Sequence, residues 1–181
     1  MKVTELTTAT VVIPLRNVTS FSTRTVSEGH DTLVKVRTEA GTEGLGFCYC
    51  GNGAGWIVTQ AVRDLLAQHV VGKDSHQTEA IWDAMYKDAI LMGRRGAVVR
   101  AMSAIDIALW DIKGKRLDVP IFELMGGKTR EKVRCYMHVN GDTPEALAAE
   151  AVNAVKAGFT AVRFSAFGPE FWLHRSYSGF A

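Results

Sequence analysis

The first fifty residues pattern as strands, with apolar and polar positions alternating cleanly over Thr32 to Thr38. Val3 to Pro14 is rich in Thr and Val, both good strand formers. Thr32 to Thr38 places Val34 and Val36 on one side and Lys35 and Arg37 on the other, which predicts a half-buried antiparallel strand. Glu39-Ala-Gly41 turns the chain, and Gly44 to Tyr49 returns as a third strand. Between the first two strands lies the polar stretch Arg16 to Asp31, with Ser20, Ser22, Thr23, Arg24 and Gly29. A connection of that length predicts a binding loop or lid.

The period then changes to that of helices. Gly51-Asn-Gly53-Ala-Gly55 leads into a helix reaching about Gln68, with Val58, Ala61, Val62 and Leu65 on one stripe. Asp74-Ser75 is placed to cap a second helix carrying Ile81, Ala84, Met85 and Ala89. Gly93-Arg-Arg-Gly96 interrupts the pattern, and a third helix runs from about Ala97 to Lys115. Its core stripe is Ile105, Ala108, Leu109 and Ile112. Ala101, Ala104 and Ala108 are small enough to allow close approach of a neighbouring element. Asp106 and Asp111 lie five apart and point to different sides, so they are no catalytic carboxylate pair.

After Gly126-Gly127 the order becomes strand, helix, strand. Val133 to Val139 is a strand, Thr143 caps a helix with Pro144 at its first position, Gly158 ends it, and Thr160 to Phe164 is a second strand. Leu147, Ala151, Ala154 and Val155 make the apolar stripe of that helix. Two parallel strands and one helix cannot bury both faces of a parallel sheet, so the unit requires more chain. The expected fold is an α+β domain, a three-stranded antiparallel sheet plus helices, over residues 1–127. The first βαβ unit of a truncated β/α barrel follows over 128–181.

Composition narrows the function. The chain has 181 residues, a net charge of +2, 47% hydrophobic and 22% charged residues, which is ordinary for a globular protein. That charge gives no reason to expect nucleic acid, and no run of about 20 apolar residues predicts a membrane span. Lys113-Gly-Lys115-Arg116 reads as a solvated helix end. Three cysteines, Cys48, Cys50 and Cys135, show no framework spacing, which points to a reducing, cytoplasmic setting. Cys48 and Cys50 share a strand face, but no second Cys or His pair at zinc spacing accompanies them, so zinc is not expected.

One segment is specific. Ala101, Ser103-Ala104, Asp106, Ala108-Leu109, Asp111, Gly114-Lys115, Pro120-Ile121, Leu124 and Gly126, at these spacings, resemble the hallmark segment of the mandelate racemase/muconate lactonizing enzyme family of the enolase superfamily. The opening strand, the hairpin ending Gly44-Leu-Gly-Phe47 and the Gly158-Phe-Thr-Ala-Val162 approach to a strand agree, so the resemblance covers about residues 1 to 169.

That resemblance implies a cap whose loops close over substrate at the C-terminal end of a barrel. It also implies a Mg2+ ion that stabilises the enediolate formed by removing the proton next to a carboxylate. The cap loops would be Phe21-Ser-Thr-Arg24 and Tyr49-Cys-Gly-Asn52, making Arg24, Tyr49 and Asn52 substrate-binding candidates. Arg24 would pair with a carboxylate; the plainer alternative is an exposed loop cation. Many relatives carry Lys-x-Lys on the second barrel strand, where this chain has Arg163-Phe-Ser165. Arg163 keeps a cation that is never deprotonated, and Ser165 is no base without a partner. Arg163 and Ser165 are the catalytic candidates. Their departure from lysine fits acid-sugar dehydratases better than racemases or cycloisomerases; a non-catalytic remnant is the other alternative. His138 and Asn140, at the end of the first barrel strand, are further substrate-binding candidates, with a satisfied structural histidine as the plainer reading of His138. The family's three carboxylate metal ligands lie on later strands, so no metal ligand is expected in this chain. The expected partner is a sugar acid, with neither nucleic acid nor membrane. A homo-oligomer is expected in the full-length form.

Overall fold

A computed structural model describes residues 1–21, 24–141 and 143–164, side chains at positions 17, 19–21 and 24 excepted. The chain divides into two compact units. The first comprises Met1–Val18 and Val26–Gly127, and the second Thr19–Thr25 and Lys128–Ala181.

The first unit is built on a sheet of order β1-β2-β3, with β1 at Val3–Phe21, β2 at Arg24–Thr38 and β3 at Glu43–Tyr49. β2 and β3 are antiparallel, with Leu33 opposite Phe47 and Arg37 opposite Glu43. Thr8 and Thr4 hydroxyls donate to the Leu33 and Arg37 carbonyls (2.8 and 3.2 Å), so β1 also runs against β2. The expected lid over Arg16 to Asp31 is instead a continuation of both strands, with Ser22 and Thr23 outside the described residues. The cause is the density of β-branched residues there: Val18, Thr25 and Val26 favour extended backbone, and ladder pairing satisfies its polar groups.

One face of the sheet is covered. Thr32, Val34, Val36 and Thr38 are buried, while Leu33 and Arg37 face out, as the alternation predicts. The covering element is α3 (Ala97–Leu117), whose buried Ala101, Ala104, Ala108 and Ile112 lie against β3. Contact is close because β3 offers glycines. A Cβ on Gly44 would lie 2.0 Å from the Ala108 carbonyl oxygen, and one on Gly46 1.9 Å from that of Ala104. Beside α3 lie α1 (Gly55–Gln60) and α2 (Thr78–Ala89). Leu66, Met85, Met102, Ile105 and Leu109 are fully buried in this core, each contributing about 2 kcal/mol.

The helix after β3 departs from regular geometry. α1 passes into a π-helical segment, Ala61–Leu66, and a 3-10 turn, Ala67–His69. Val58, Val62, Leu66 and Val70 are buried at strict four-residue steps. A 3.6-residue period would rotate that row off the core, and the wider π turns hold it in place. The expected cap Asp74-Ser75 does not cap α2, which starts from Gln77 without a side-chain bond. Asp74 instead accepts from the Met1 ammonium (2.7 Å) and the His76 N–H (3.1 Å), and the ammonium holds its carboxyl below the usual range.

The hallmark segment closes the sheet's edge. Asp111 accepts from the Leu45 N–H (2.8 Å) and from Lys115 (2.7 Å), and Lys115 also donates to the Glu43 carbonyl (2.8 Å). Lys113 lies 4.3 Å over the Trp110 ring and donates to Thr78 (3.3 Å). The lysines expected to be only solvated thus bind neighbouring elements. The short helix α4 (Ile121–Leu124) follows.

In the second unit, β4 (Met137–His138) and β5 (Val162–Arg163) pair in parallel, with α5 (Pro144–Lys156) between them. Both strands are shorter than the expected Val133–Val139 and Thr160–Phe164, since among the described residues each has only the other to pair with. Thr143 caps α5 by accepting from the Ala146 N–H (3.2 Å), with Pro144 in the first turn, and Gly158 takes a φ of 92°. Of the predicted stripe only Ala154 is fully buried, and Val155 is exposed.

Candidate functional site

The loop between β3 and α1 holds two of the candidates. Tyr49 ends β3, opposite Asp31, with its ring exposed. Asn52 is exposed on the turn that follows. That turn is tied down through its backbone. The His30 N–H donates to the Gly51 carbonyl and the His30 carbonyl accepts from the Cys50 N–H, both at 2.7 Å. The Thr32 hydroxyl donates to the Gly55 carbonyl (3.0 Å), and the Trp56 indole N–H to that of Gly53 (2.7 Å). Gly51 and Gly53 adopt φ of 74° and 86°, which side-chain-bearing residues rarely adopt. Asn52 is therefore held by its neighbours at a set position. Trp56→Phe keeps the ring and deletes the N–H. Amide exchange at Gly53, Ala54 and Gly55 is expected to rise about fivefold, the worth of one hydrogen bond of about 1 kcal/mol, with the global melting temperature unchanged.

Under this loop lies a polar wall that sequence reasoning missed. The Thr10 and Thr59 hydroxyls are 2.7 Å apart, and Thr32 lies 3.3 Å from Cys50 Sγ. His30 is buried, with Nε2 3.0 Å from Glu28 Oε1. A threonine in a strand is ordinary, so only knowing which face meets α1 would have singled these residues out. Cys48 and Cys50 share a face, as alternation predicts, with sulfurs 3.8 Å apart. Burial, reinforced by Cys50, pushes the Cys48 thiol up to about 12. Arg24 begins β2, and its side chain lies outside the described residues.

The second unit brings two other candidates together. His138 and Arg163 are register partners on β4 and β5, and Arg163 Nη1 lies 3.2 Å from His138 Nε2. Arginine can only donate, so Nε2 accepts and the imidazole proton sits on Nδ1. Tyr136 stacks on His138 with centroids 5.5 Å apart. Met137, Val139 and Val162 are more buried than exposed His138, Asn140 and Arg163, so the period of two turns the polar set to the opposite face. This face offers a fixed cation, an N–H donor and an amide. Ser165 lies outside the described residues.

Among the described residues, no three His, Cys, Asp or Glu side chains are grouped to hold a metal. The strand-end donors are imidazole, amide and guanidinium, whereas Mg2+ takes carboxylate and water oxygens, so these residues do not fit that ion. The half-buried carboxyl of Asp106 is raised above its ordinary value by desolvation and then by Glu79. A raised folded value means destabilisation at neutral pH, relieved as pH falls through that value toward the unfolded one. Asp106→Asn is therefore expected to melt higher than the parent at neutral pH, with the gap narrowing in acid. Paired melts across that range check it. No described helix is long and apolar enough to cross a membrane.

Comparisons with known proteins agree with this fold. The family described as "Mandelate racemase / muconate lactonizing enzyme, N-terminal domain" matches residues 3–126. A D-mannonate dehydratase of Caulobacter vibrioides is 38% identical over 130 residues, covering 72% of this chain and 32% of that protein. A D-galactonate dehydratase family member of Chromohalobacter salexigens is 37% identical over 131 residues, with the same coverage of 72% and 32%. Among solved structures, a racemase from Streptomyces coelicolor with bound magnesium matches with a TM-score of 0.83 and 30% identity, over 90% of this chain and 46% of that one. L-talarate/galactarate dehydratase from Salmonella typhimurium shares the fold with a TM-score of 0.81 at 24% identity, over 98% of this chain and 47% of that one. The chain spans about a third of the length of the curated relatives it matches and about half that of the solved structures. The antiparallel sheet and its helices are the N-terminal capping domain of these neighbours. With the match extending over more than half of its residues, the chain belongs to the mandelate racemase/muconate lactonizing enzyme family of the enolase superfamily.

Proposed function

We propose that the chain is the amino-terminal part of an acid-sugar dehydratase. Residues 1–127 form the capping domain, and 128–181 the first βαβ unit of a β/α barrel. The reaction removes the proton next to the substrate carboxylate, passes through an enediolate and expels water. Support comes first from the relatives at 35–39% identity, which are named D-mannonate dehydratases and D-galactonate dehydratase family members. Tyr49 and Asn52 of the first unit, together with Arg24 at the start of β2, select the sugar acid. In the second, Arg163 holds developing negative charge and fixes the His138 ring, whose Nδ1–H donates to a substrate oxygen. Asn140 adds an amide, and Ser165 is the second catalytic candidate. The family's Mg2+ would supply further charge stabilisation, from ligands that the described residues do not provide. The chain is proposed to be inactive by itself, to act in the cytoplasm, and to be a homo-oligomer at full length.

A chimera tests this: residues 1–163 joined to the later barrel strands of the Caulobacter vibrioides relative, offered D-mannonate and D-galactonate. Formation of the 2-keto-3-deoxy acid, lost in Arg163→Ala, supports the reading. A folded chimera that dehydrates neither acid refutes it. The racemase neighbour at 30% identity favours a second reading. Exchange of the α-proton without water loss would establish that one. For the 181-residue chain alone, Mg2+ is expected to leave the melting temperature unchanged, since only a ligand of the native state raises it.

A further inference from the structure

His30 is 7% exposed, and its Nδ1 has neither a hydrogen-bond partner nor solvent contact. The Glu28 carboxylate, 3.0 Å from Nε2, can only accept, so Nε2 carries a proton; a second proton on buried Nδ1 would find no acceptor, which leaves Nδ1 as a bare lone pair. What covers that lone pair is the tied-down loop. A Cβ on Gly55 would lie 3.3 Å from Nδ1 and 2.5 Å from Thr10 Cγ2, so the glycine lets the backbone seat directly on the ring. The cover is tied by its hydrogen bonds to His30, Thr32 and Trp56 and not by packing. No residue from Gly51 to Ala54 is buried, and two positive-φ glycines lie within it.

We propose that His30 is a ligand-binding residue. Its Nδ1 accepts a hydrogen bond from a hydroxyl of a polyhydroxy carboxylate when the Cys50–Gly55 loop lifts. The inference rests on the reading of this loop as facing a sugar acid, and it names which part of that acid is met. A neutral acceptor selects an O–H donor, and the adjacent Glu28 carboxylate repels a carboxylate end, so the ligand presents its hydroxylated carbons. The Thr10, Thr32 and Thr59 hydroxyls beside the ring extend the same polar wall.

The test is a titration of the 15N-histidine- and amide-labelled chain with D-galactonate, followed by nuclear magnetic resonance. The His30 Nδ1 resonance is expected to move upfield together with the Gly51–Gly55 amides. Movement of those amides with a stationary His30 would keep the loop as a site and overturn the role of His30. No movement of either would overturn both. His30→Phe keeps the ring volume and deletes the acceptor. It is expected to melt no lower than the parent and to bind galactonate about tenfold more weakly, the worth of one well-formed hydrogen bond. A fall of several degrees in its melting temperature would show that Nδ1 serves the fold, and would also overturn the proposal.

Discussion

Gly46→Ala is expected to lower the melting temperature by about 10 °C, from a loss of about 3 kcal/mol in a chain of this size. The added carbon would sit 1.9 Å from the Ala104 carbonyl oxygen and 2.8 Å from the Ala108 nitrogen. Both are backbone atoms of α3, so no rotamer change relieves the clash, and the helix must move off the sheet. That movement opens the core along Ala101, Ala104 and Ala108. Gly29→Ala is the control, since its new carbon would meet only the Tyr49 ring at 3.8 Å. Thermal melts of the two variants check the account. Equal melting temperatures would mean that α3 does not press on β3 as described.

Asp111→Ala is expected to cost about 2 kcal/mol, the worth of a hydrogen bond to a charged group, and to cause association at higher concentration. Its carboxylate is the acceptor for the Leu45 N–H and the anchor of Lys115, which occupies the Glu43 carbonyl. Without it, the outer edge of β3 presents unpaired groups beside exposed Leu45 and Phe47, a template for another strand. Asp111→Asn keeps an acceptor oxygen and should recover most of the loss. Sedimentation at two concentrations, together with melts, separates the two effects.

These two predictions also show how far the sequence could be read. The small residues of α3 announced a close approach, and the alternation of Val34 and Val36 announced the buried sheet face. The partner of that approach, the Gly44–Gly46 pair, was visible but unassigned, because helical spacing does not say which strand a helix meets. Lys115 read as a helix-end charge for the same reason, and Asp111 only as no carboxylate partner for Asp106. The strands beyond Arg16 were mistaken for a lid, since Ser, Thr and Gly signal turns as well as strands. At the candidate site, the face shared by His138 and Asn140 followed from alternation. The bond from Arg163 to His138, across 25 positions, depends on a parallel register that no local pattern encodes. His30 was passed over because its meaning lies in what its ring lacks, which only packing reveals.

The three thiols differ in a way that serves the experimenter. Alkylating reagents attack thiolates. Cys48 is held protonated far above neutrality and Cys50 is buried, whereas Cys135 is exposed. A maleimide fluorophore therefore has one favoured address, just before β4, and becomes a reporter confined to the second unit. The indoles of Trp56, Trp82 and Trp110 observe the first once Trp172, which belongs to the second, is replaced by Phe, so the melting of each half can be followed in its own colour.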